Sequence, residues 1–536
     1  MSEQVALILA KQASMEALRE PWVSHWRECA ELMLPRQDQF FGQRPQGEKR
    51  TGKIFDPVGM VAADRFAAIM ESLLTPRTQL WHKIKPKGQV EADGGPLGEW
   101  FDQVNQIIYD KRYSPAAAFA SNAHEGYMSL GVFGTAAIYI ASAPGAPLWY
   151  RHCHLSEIFF AEDAYGRIDT VYRKFTMTAR QVKQQFDNDR LPAKVLDLAE
   201  KKPDTADVVV LHCTMPNTER VEGREDAAGM PWKAVYVLPE HSAIVQEGGY
   251  WTFPWAVSRY VTAPREIFGR SPGMAVLPSV KMLQEVAKAR LKGWHYATDP
   301  ALLIADDGVL TPLNVRPGAL IGGGVDENGR PRVVPLQNGA RLDIDEAMTE
   351  QERKVVNDSF LVSLMQVLIE KPGDMTAYEA ALRAQEKGQL MAPVMGRQHS
   401  EFLGPLIERE IDLIARANLL PPVPEEMAAG AEYDIEYLSP LSTAARSEPS
   451  LALQRGLAQA APFIQLDPSA GDWIDAEDAV KTILRGNGAP NSAIRSEEEV
   501  DAIREQRAQQ QAAQAAMQAG PALGQTVAGL SRAAAA

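Results

Sequence analysis

Two long helical patterns, separated by a compact insert, constrain this chain more than any other feature of its sequence. The first pattern begins near Pro272 and repeats apolar residues every three or four positions, which is helical spacing. Its apolar members are Val276, Val280, Leu283, Ala287, Leu291 and Trp294. At 1.5 Å per residue the helix is roughly 35–40 Å long. The pattern therefore predicts one long helix over residues 271–298, counting its cap.

The second pattern begins after Asp343, an N-cap residue with Glu346 in the capping-box position. Its first half is charged, and its second half, FLVSLMQVLI, is apolar on nearly every side. A helix that is apolar all round needs neighbours on every side, and these can include other subunits. Between the two patterns, residues 299–343 are rich in Gly and Pro and contain β-like pieces, which predicts a small β-rich unit.

Upstream of these helices the sequence indicates a mixed body. Residues 1–130 repeat apolar side chains at helical spacing between Pro- and Gly-containing breaks. From Gly134 to about Thr176, short alternating runs rich in aromatic residues predict an antiparallel meander, and more strand-like runs follow. Thr178 and Gln181 form a capping box that opens a short helix. The predicted fold class is α+β and mainly helical.

Downstream of them a third helical run is predicted. The second helix stops at EKPGD, and Thr376 with Glu379 forms a capping box that restarts the chain as a helix. Because Pro393 and Pro405 lie inside this run, a kink or break is expected. Two or three more helices follow, and the Ala/Gln-rich tail at 506–536 is predicted to fray or be disordered.

Composition excludes several classes of protein. The formal net charge is −14, whereas a simple DNA-wrapping protein is basic. Three cysteines make a disulfide framework improbable, so synthesis in a reducing cytoplasm is expected. The N-terminus lacks the basic and apolar blocks of a signal peptide. The most apolar window, 361–369, is too short to cross a bilayer, so no membrane insertion is expected.

The segment FGRSPGM contains Gly-x-Ser-x-Gly, the pattern of a hydrolase nucleophile elbow centred on Ser271. In that elbow the residue after the serine donates its backbone N–H to the oxyanion hole. Here that residue is Pro272, which has no N–H. A helix N-cap at Ser271, with proline in the first helical position, uses the same residues without a missing part. The sequence favours the cap over a catalytic serine.

Other chemical motifs are also incomplete. The run GQRPQGEK at 42–49 resembles a Walker A loop, but Glu48 stands where the lysine is required. His152 and His154 flank Cys153, and strand alternation places the cysteine on the face opposite the two histidines. Without further ligands at metal spacing, such residues are more often packing residues than a metal site. The sequence predicts no catalytic set, no cofactor and no metal.

The order of several segments resembles one known family, the portal proteins, or head-to-tail connectors, of short-tailed (podovirus-type) bacteriophages. The segments are WRECAELMLPRQDQF, FDPVGMVAADRFAAIMESLLTP, GTAAIYI with RIDTVYRKFTMT, FGRSPGMAVLPSVKMLQEVAKA, MTAYEAALRAQEKGQLMAPVMGRQHSEFLGPLIEREIDLI and YLSPLSTAARSE. Together they run from about residue 20 to residue 500. None is a chemical signature, but their order and spacing are specific.

The resemblance implies the portal fold, with wing, stem, clip and crown assembled as a ring. It assigns 1–270 to the wing, 271–298 to stem helix one, 299–343 to the clip, 344–369 to stem helix two, 370–375 to a tunnel loop, 376–438 to a kinked wing helix and connector, and 439–505 to crown helices. The candidate tunnel loop comprises Glu370, Lys371, Pro372, Gly373, Asp374 and Met375. Arg330 and Arg332 are candidate clip contacts, with solvated turn charges as the alternative.

The resemblance also implies a function. Portals of this kind are rings of twelve copies at one capsid vertex, which conduct double-stranded DNA during packaging and ejection. They nucleate head assembly with the major capsid and scaffolding proteins, and they dock the terminase large subunit and tail adaptor or nozzle proteins. An acidic chain suits a channel that repels phosphate and lets DNA slide. A non-portal structural component of the capsid or tail is the alternative, and a serine hydrolase using Ser271 is a remote one.

Overall fold

The architecture was obtained as a computed structural model of the 536-residue chain. The structure describes residues 3–40, 45, 47–87, 96–299, 302–304, 325, 328–331, 333–335, 344–363, 393–424, 432–438, 453–454, 456–463, 472–486 and 499–511. Within them, helices and antiparallel strands share one body and helix predominates. The predicted α+β, mainly helical class is confirmed.

The named helices follow the predicted order. They are α1 (Glu3–Met33), α2 (Val58–Leu74), α3 (Pro96–Arg112), α4 (Phe119–Phe133), α5 (Ala179–Gln185), α6 (Ala193–Lys201), α7 (Pro272–Thr298), α8 (Ile344–Ser359), α9 (Gly404–Arg416) and α10 (Ala476–Gly486). Further helical residues lie at 393–398, 456–463 and 499–511. In the described part of the chain no helix is long and apolar enough to cross a membrane.

The strands form two larger sheets and two small pairs. They are β1 (His82–Pro86), β2 (Thr135–Ala143), β3 (Ala146–Cys153), β4 (Ile158–Glu162), β5 (Ile168–Thr178), β6 (Asp207–Pro216), β7 (Trp232–Leu238), β8 (Ala243–Tyr250), β9 (Trp255–Arg259), β10 (Leu302–Ile304), β11 (Val333–Pro335) and β12 (Tyr433–Tyr437). The sheet orders are β3-β2-β9, β4-β5-β6-β7-β8, β1-β12 and β10-β11.

The predicted meander is therefore divided between two sheets. Strand β2 pairs with β9, with Thr135 opposite Arg259, and β4 begins a separate five-stranded sheet. A local alternation pattern identifies strands but carries no information on a partner more than a hundred residues away. The capping box of Thr178 and Gln181 that opens α5 is present as predicted.

The main core lies where α1, α2, α4, α7 and α9 pack together against the three-stranded sheet. Its largest fully buried side chains include Trp26, Phe66, Phe133 and Trp255. A second core forms where the first half of α1 covers the five-stranded sheet. The first half of α7 belongs to the main core, so the predicted long helix begins inside the body of its own chain.

The helix predicted over 344–369 is interrupted at Phe360 and Leu361, and helical residues resume at 362 and 363. Helix α8 ends at Ser359, and Leu361 adopts a left-handed backbone conformation with φ of 62°. Phe360 and Val362 are both buried in the main core. Residues two apart lie on different faces of a helix, so the turn at Leu361 allows both side chains to reach the same core. Residues 364–369 lie outside the described residues.

The third helical run is irregular near Pro405. A π-helical turn, His399–Leu403, joins the helical residues 393–398 to α9, and Pro405 lies in the first turn of α9. The N–H of Gly404 bonds to the carbonyl of His399, five residues back. Proline has no N–H to donate to the carbonyl four positions earlier. The hydrogen-bond pattern therefore changes from the α-helical to the π-helical spacing just before Pro405.

Several predicted features lie outside the described residues. They are the tunnel loop Glu370, Lys371, Pro372, Gly373, Asp374 and Met375, the cap residues Asp343, Thr376 and Glu379, and the clip residue Arg332. Most of 299–343, most of 439–505 and the end of the tail from 512 lie outside them as well. These assignments stay predictions.

Candidate functional site

Ser271 is the N-cap residue of α7. Its Oγ accepts a hydrogen bond from the N–H of Met274 at 2.9 Å and donates one to the carbonyl of Val132 at 2.7 Å. Pro272 occupies the first helical turn. Both hydrogen-bonding functions of the buried hydroxyl are thus used by the backbone, and the residue is not available as a nucleophile.

The first glycine of the same motif, Gly269, serves close packing against Gly134. Gly134 ends α4 with φ of +79°. A Cβ added at Gly269 would lie only 2.2 Å from the carbonyl oxygen of Gly134. The N–H of Gly269 also bonds to Oγ1 of Thr135 at 2.8 Å. The backbone before α7 therefore lies directly against the end of α4, which only glycine permits. The hydrolase-like pattern is explained by the positioning of α7.

A polar knot, defined here as Asp56, Gln284 and Arg353, holds α7 and α8 to the body. Oε1 of Gln284 accepts the N–H groups of Phe55 at 2.7 Å and Asp56 at 3.0 Å, and its amide donates to the carbonyl of Asp56 at 2.6 Å. Oδ2 of Asp56 accepts both Nε (3.1 Å) and Nη2 (3.0 Å) of Arg353. Asp56 is 3% exposed, so its carboxylate is held in a fixed position.

Beyond the polar knot the end of α7 leaves the body. The predicted apolar stripe is divided there: Val276, Val280 and Leu283 are buried, whereas Leu291 is 43% exposed and Trp294 54% exposed. Tyr296 is 58% exposed on the same end. Exposed apolar residues that continue a buried stripe mark an interaction surface. We call residues 289–298 the free end of α7.

Helix α8 runs beside α7 and is also partly exposed, at Met348 and Val355. Beyond the two helices, β10 and β11 pair antiparallel, with Leu303 opposite Val334. Arg330, a candidate clip contact, lies close before β11 in the sequence. The predicted order of helix, β insert and helix is therefore present in the described residues, although the second helix is interrupted after Ser359.

The Walker-like segment has no nucleotide-loop geometry in its described part. It follows helical and 3₁₀ structure rather than a strand, and Arg50 donates to the carbonyl of Arg36 at 2.8 Å. Lys53 forms an ion pair with Glu31. These two basic residues, which follow the segment, are bound to other groups of the protein, as expected of a structural surface region.

The histidines around Cys153 are packing residues. His152 and His154 are half-buried, and burial of their imidazoles lowers the pKa of His152 to about 3 and that of His154 to about 4. His152 bonds to the hydroxyl of Ser129 at 3.1 Å. Among the residues that the structure describes, no group of three or more potential ligands could hold a metal ion.

Stability is expected to fall on mild acidification because of these histidines. Burial also lowers the pKa of His212 to about 3. The unfolded chain binds protons near pH 6.5 while the folded chain does not, so stability is lost as the pH falls below that value. From pH 7.5 to pH 5.5 each such histidine costs about 1.4 kcal/mol. Differential scanning calorimetry across this range measures the effect.

The control for this effect is His295→Asn, which changes an exposed histidine at the free end of α7. This variant should keep the wild-type dependence on pH. An unfolding midpoint that stays constant between pH 7.5 and pH 5.5 would contradict the assignment of the buried histidines as neutral groups.

These features define a class of protein. The motif serine is a helix cap, the histidines are packed, and a helix pair fixed to a large body carries an exposed apolar end. That is the architecture of a structural subunit built for assembly.

Known proteins identify the family. Residues 6–494 match the family described as bacteriophage head to tail connecting protein, and the chain belongs to it. The probable portal protein of Bordetella phage BPP-1 is 29% identical over 97% of this chain and 94% of its own length. The portal protein of Salmonella phage epsilon15 is 28% identical over the same shares. The resemblance to podovirus portal proteins is confirmed, and this family is structural rather than enzymatic.

Solved structures show weaker likeness. The virion of a native gene transfer agent particle shares 13% identity, covering 82% of this chain and 95% of that chain, with a TM-score of 0.36. The neck of the native particle shares 12% identity over 74% and 86%, with a TM-score of 0.37. No inference follows from scores this low. Membership of the connector family places the chain in the virion, between head and tail.

Sequence reasoning missed the polar knot. Asp56-Pro57 directly before α2 is a helix-start signal that local patterns can reveal. Gln284 and Arg353 have no such signal, because a single polar residue on a long helix is ordinarily solvated. Their role appears only when α2, α7 and α8 are brought together in space.

Proposed function

We propose that the chain is the portal subunit of a short-tailed phage and assembles into a closed ring, of twelve copies, around a DNA channel. The observation that carries this proposal is the free end of α7, which exposes Leu291, Trp294 and Tyr296 although it continues a buried stripe. A monomer gains nothing from this exposure, whereas a neighbouring copy would cover it. Membership of the connector family supports the same conclusion.

In this proposal the body up to residue 270 is the wing, α7 and α8 are the stem, and the segment with β10 and β11 is the clip. The polar knot then fixes the stem to the wing. Ring contacts are heterologous, so each copy presents one surface and receives a different one. A rigid attachment of stem to wing suits this arrangement because the angle between neighbours decides whether a ring closes.

The charge of the chain fits passage of DNA rather than tight binding. Twelve copies of a chain with net charge −14 form a strongly acidic assembly. Phosphates are repelled by such a wall, so the duplex can slide without a salt-sensitive grip. The proposed tunnel loop, residues 370–375, contributes Lys371 to tune this passage during packaging and ejection.

The remaining partners follow from the same proposal. The clip, with Arg330 and Arg332, would face the terminase large subunit during packaging and the tail adaptor or nozzle proteins afterwards. The crown, residues 439–505, would lie inside the capsid, where the ring nucleates head assembly with the major capsid and scaffolding proteins. Synthesis in the host cytoplasm belongs to this proposal too.

Negative-stain electron microscopy of the purified full chain tests the proposal. We expect closed rings with a central hole wide enough for a duplex, and native mass spectrometry should give their copy number. Open filaments, or a compact single-copy particle at micromolar concentration, would contradict it and favour a non-portal structural component of the head or tail.

A further inference from the structure

The charges on the two helices beyond the polar knot are segregated by sign. From Val286 to Thr298, α7 carries Lys288, Arg290 and Lys292 and no acidic residue. The opposite holds at the start of α8, where residues 344–352 include four acidic side chains and no basic one. Surface helices usually mix both signs, so this separation requires an explanation.

Two lysines and two glutamates have matching spacing. Lys288 and Lys292 are four residues apart and lie on one face of α7, and Glu346 and Glu350 do the same on α8. We call the lysine pair the basic flank and the glutamate pair the acidic flank. Each pair is separated by about 6 Å along its helix.

The polar knot gives a common reference level from which the two flanks lie at similar heights. Both helices contact Asp56, α7 through Gln284 and α8 through Arg353. Lys292 is about 12 Å beyond this level and Glu346 about 10.5 Å beyond it, at 1.5 Å per residue. The corresponding values for Lys288 and Glu350 are about 6 Å and about 4.5 Å. Along the two antiparallel helices, Lys292 therefore lies at nearly the height of Glu346, and Lys288 at nearly the height of Glu350.

Within the described residues of one chain, no lysine of the basic flank forms an ion pair with a glutamate of the acidic flank. Lys292 and Glu346 have no ion pair there within 4.0 Å, although α7 and α8 pack on each other. Lys288 forms an ion pair with Glu285 of its own helix at 3.7 Å and lies 6.0 Å from the ring centroid of Phe55, and Glu350 pairs with Arg353 at 2.6 Å. Exposed pairs within one helix are weak and exchange easily. Both flanks are thus available to a partner.

We propose that the basic flank of one copy pairs with the acidic flank of the neighbouring copy, Lys292 with Glu346 and Lys288 with Glu350. This proposal rests on the ring proposed above. A copy related by rotation about an axis parallel to the helices presents its flanks at unchanged height, so no axial shift is needed. DNA complements the basic flank but repels the acidic one, whereas a second copy complements both.

Charge reversal tests the contact in the full-length chain. We expect Lys288→Glu/Lys292→Glu and Glu346→Lys/Glu350→Lys each to raise at least tenfold the protein concentration at which half the chains are assembled, measured by light scattering. Each reversal places four like charges together at every interface. The variant that combines all four substitutions restores opposite charges, and its assembly should return to within threefold of wild type.

The matched control is Lys194→Glu/Lys201→Glu on α6, which makes the same change in net charge on two exposed lysines of the body. It should assemble like wild type. Rings that tolerate both reversals would overturn the contact and leave the proposed ring intact. A reversal of the basic flank that alters only DNA binding would also overturn it. Absence of rings in the wild-type chain would instead refute the proposed function.

Discussion

Replacing Glu410 by glutamine is expected to destabilise the folded chain by about 3–5 kcal/mol, the cost of leaving a buried charge without its partner. Glu410 and Arg112 are both fully buried. Nε of Arg112 donates to Oε1 of Glu410 at 2.8 Å, and Nη2 donates to Oε2. Glutamine keeps the size of the side chain but removes the charge that compensates the guanidinium.

The neighbours of this pair make the loss more severe. The hydroxyl of Tyr150 also donates to Glu410, and Nη2 of Arg112 lies 3.1 Å from Nε2 of His82. Burial and the charge of Arg112 lower the pKa of His82, which therefore stays neutral and supplies no negative charge to compensate the guanidinium. Burial alone lowers the pKa of Arg112, but Glu410 more than reverses this, so the pKa lies above its ordinary value.

Chemical denaturation of wild type and Glu410→Gln measures the effect. The matched control is Glu408→Gln, the same substitution on an exposed position of α9, which should change the free energy of unfolding by about 0.5 kcal/mol or less. Equal stability losses in both variants would show that the buried pair has no special role.

This pair illustrates what a sequence can and cannot reveal. Glu410 and Arg112 are 298 positions apart and join α9 to α3, and no local pattern identifies either residue. The start of α7 was predictable because Ser271, Pro272 and the apolar stripe act within a few residues of one another. Helix caps and periodicity are local properties, whereas a buried ion pair depends on the finished fold.

The interruption of the second helix has the same origin. The run FLVSLMQVLI is apolar, and its composition favours a helix that continues through residue 369. The structure instead turns the chain at Leu361 because Phe360 packs against Phe66, with ring centroids 6.0 Å apart. Tertiary packing of two buried side chains outweighs the propensity of the segment. Likewise, the place where α7 leaves the body is set by neighbours and not by its own stripe.

The end of α7 that projects from the body carries the contact on which ring assembly is expected to depend most. The double substitution Leu291→Asp/Trp294→Asp is expected to abolish ring formation at micromolar concentration while leaving the subunit folded. Burial of a leucine or a larger apolar side chain is worth about 1.5–3 kcal/mol each, and the interface repeats around the ring. The unfolding midpoint of the dissociated subunit should stay nearly constant because both side chains are already exposed in the single chain.

Sedimentation velocity and calorimetry on the same samples separate assembly from folding. The matched control is Tyr165→Asp/Val221→Asp, which places the same charges on an exposed aromatic and an exposed aliphatic residue of the body. It should form rings as wild type does. The apolar contact also differs from the charged flanks in its response to salt: ion pairs weaken as ionic strength rises, whereas apolar burial does not. Rings that persist in Leu291→Asp/Trp294→Asp would mean that the free end of α7 faces solvent in the assembly, and the stem would have to be sought elsewhere in the chain.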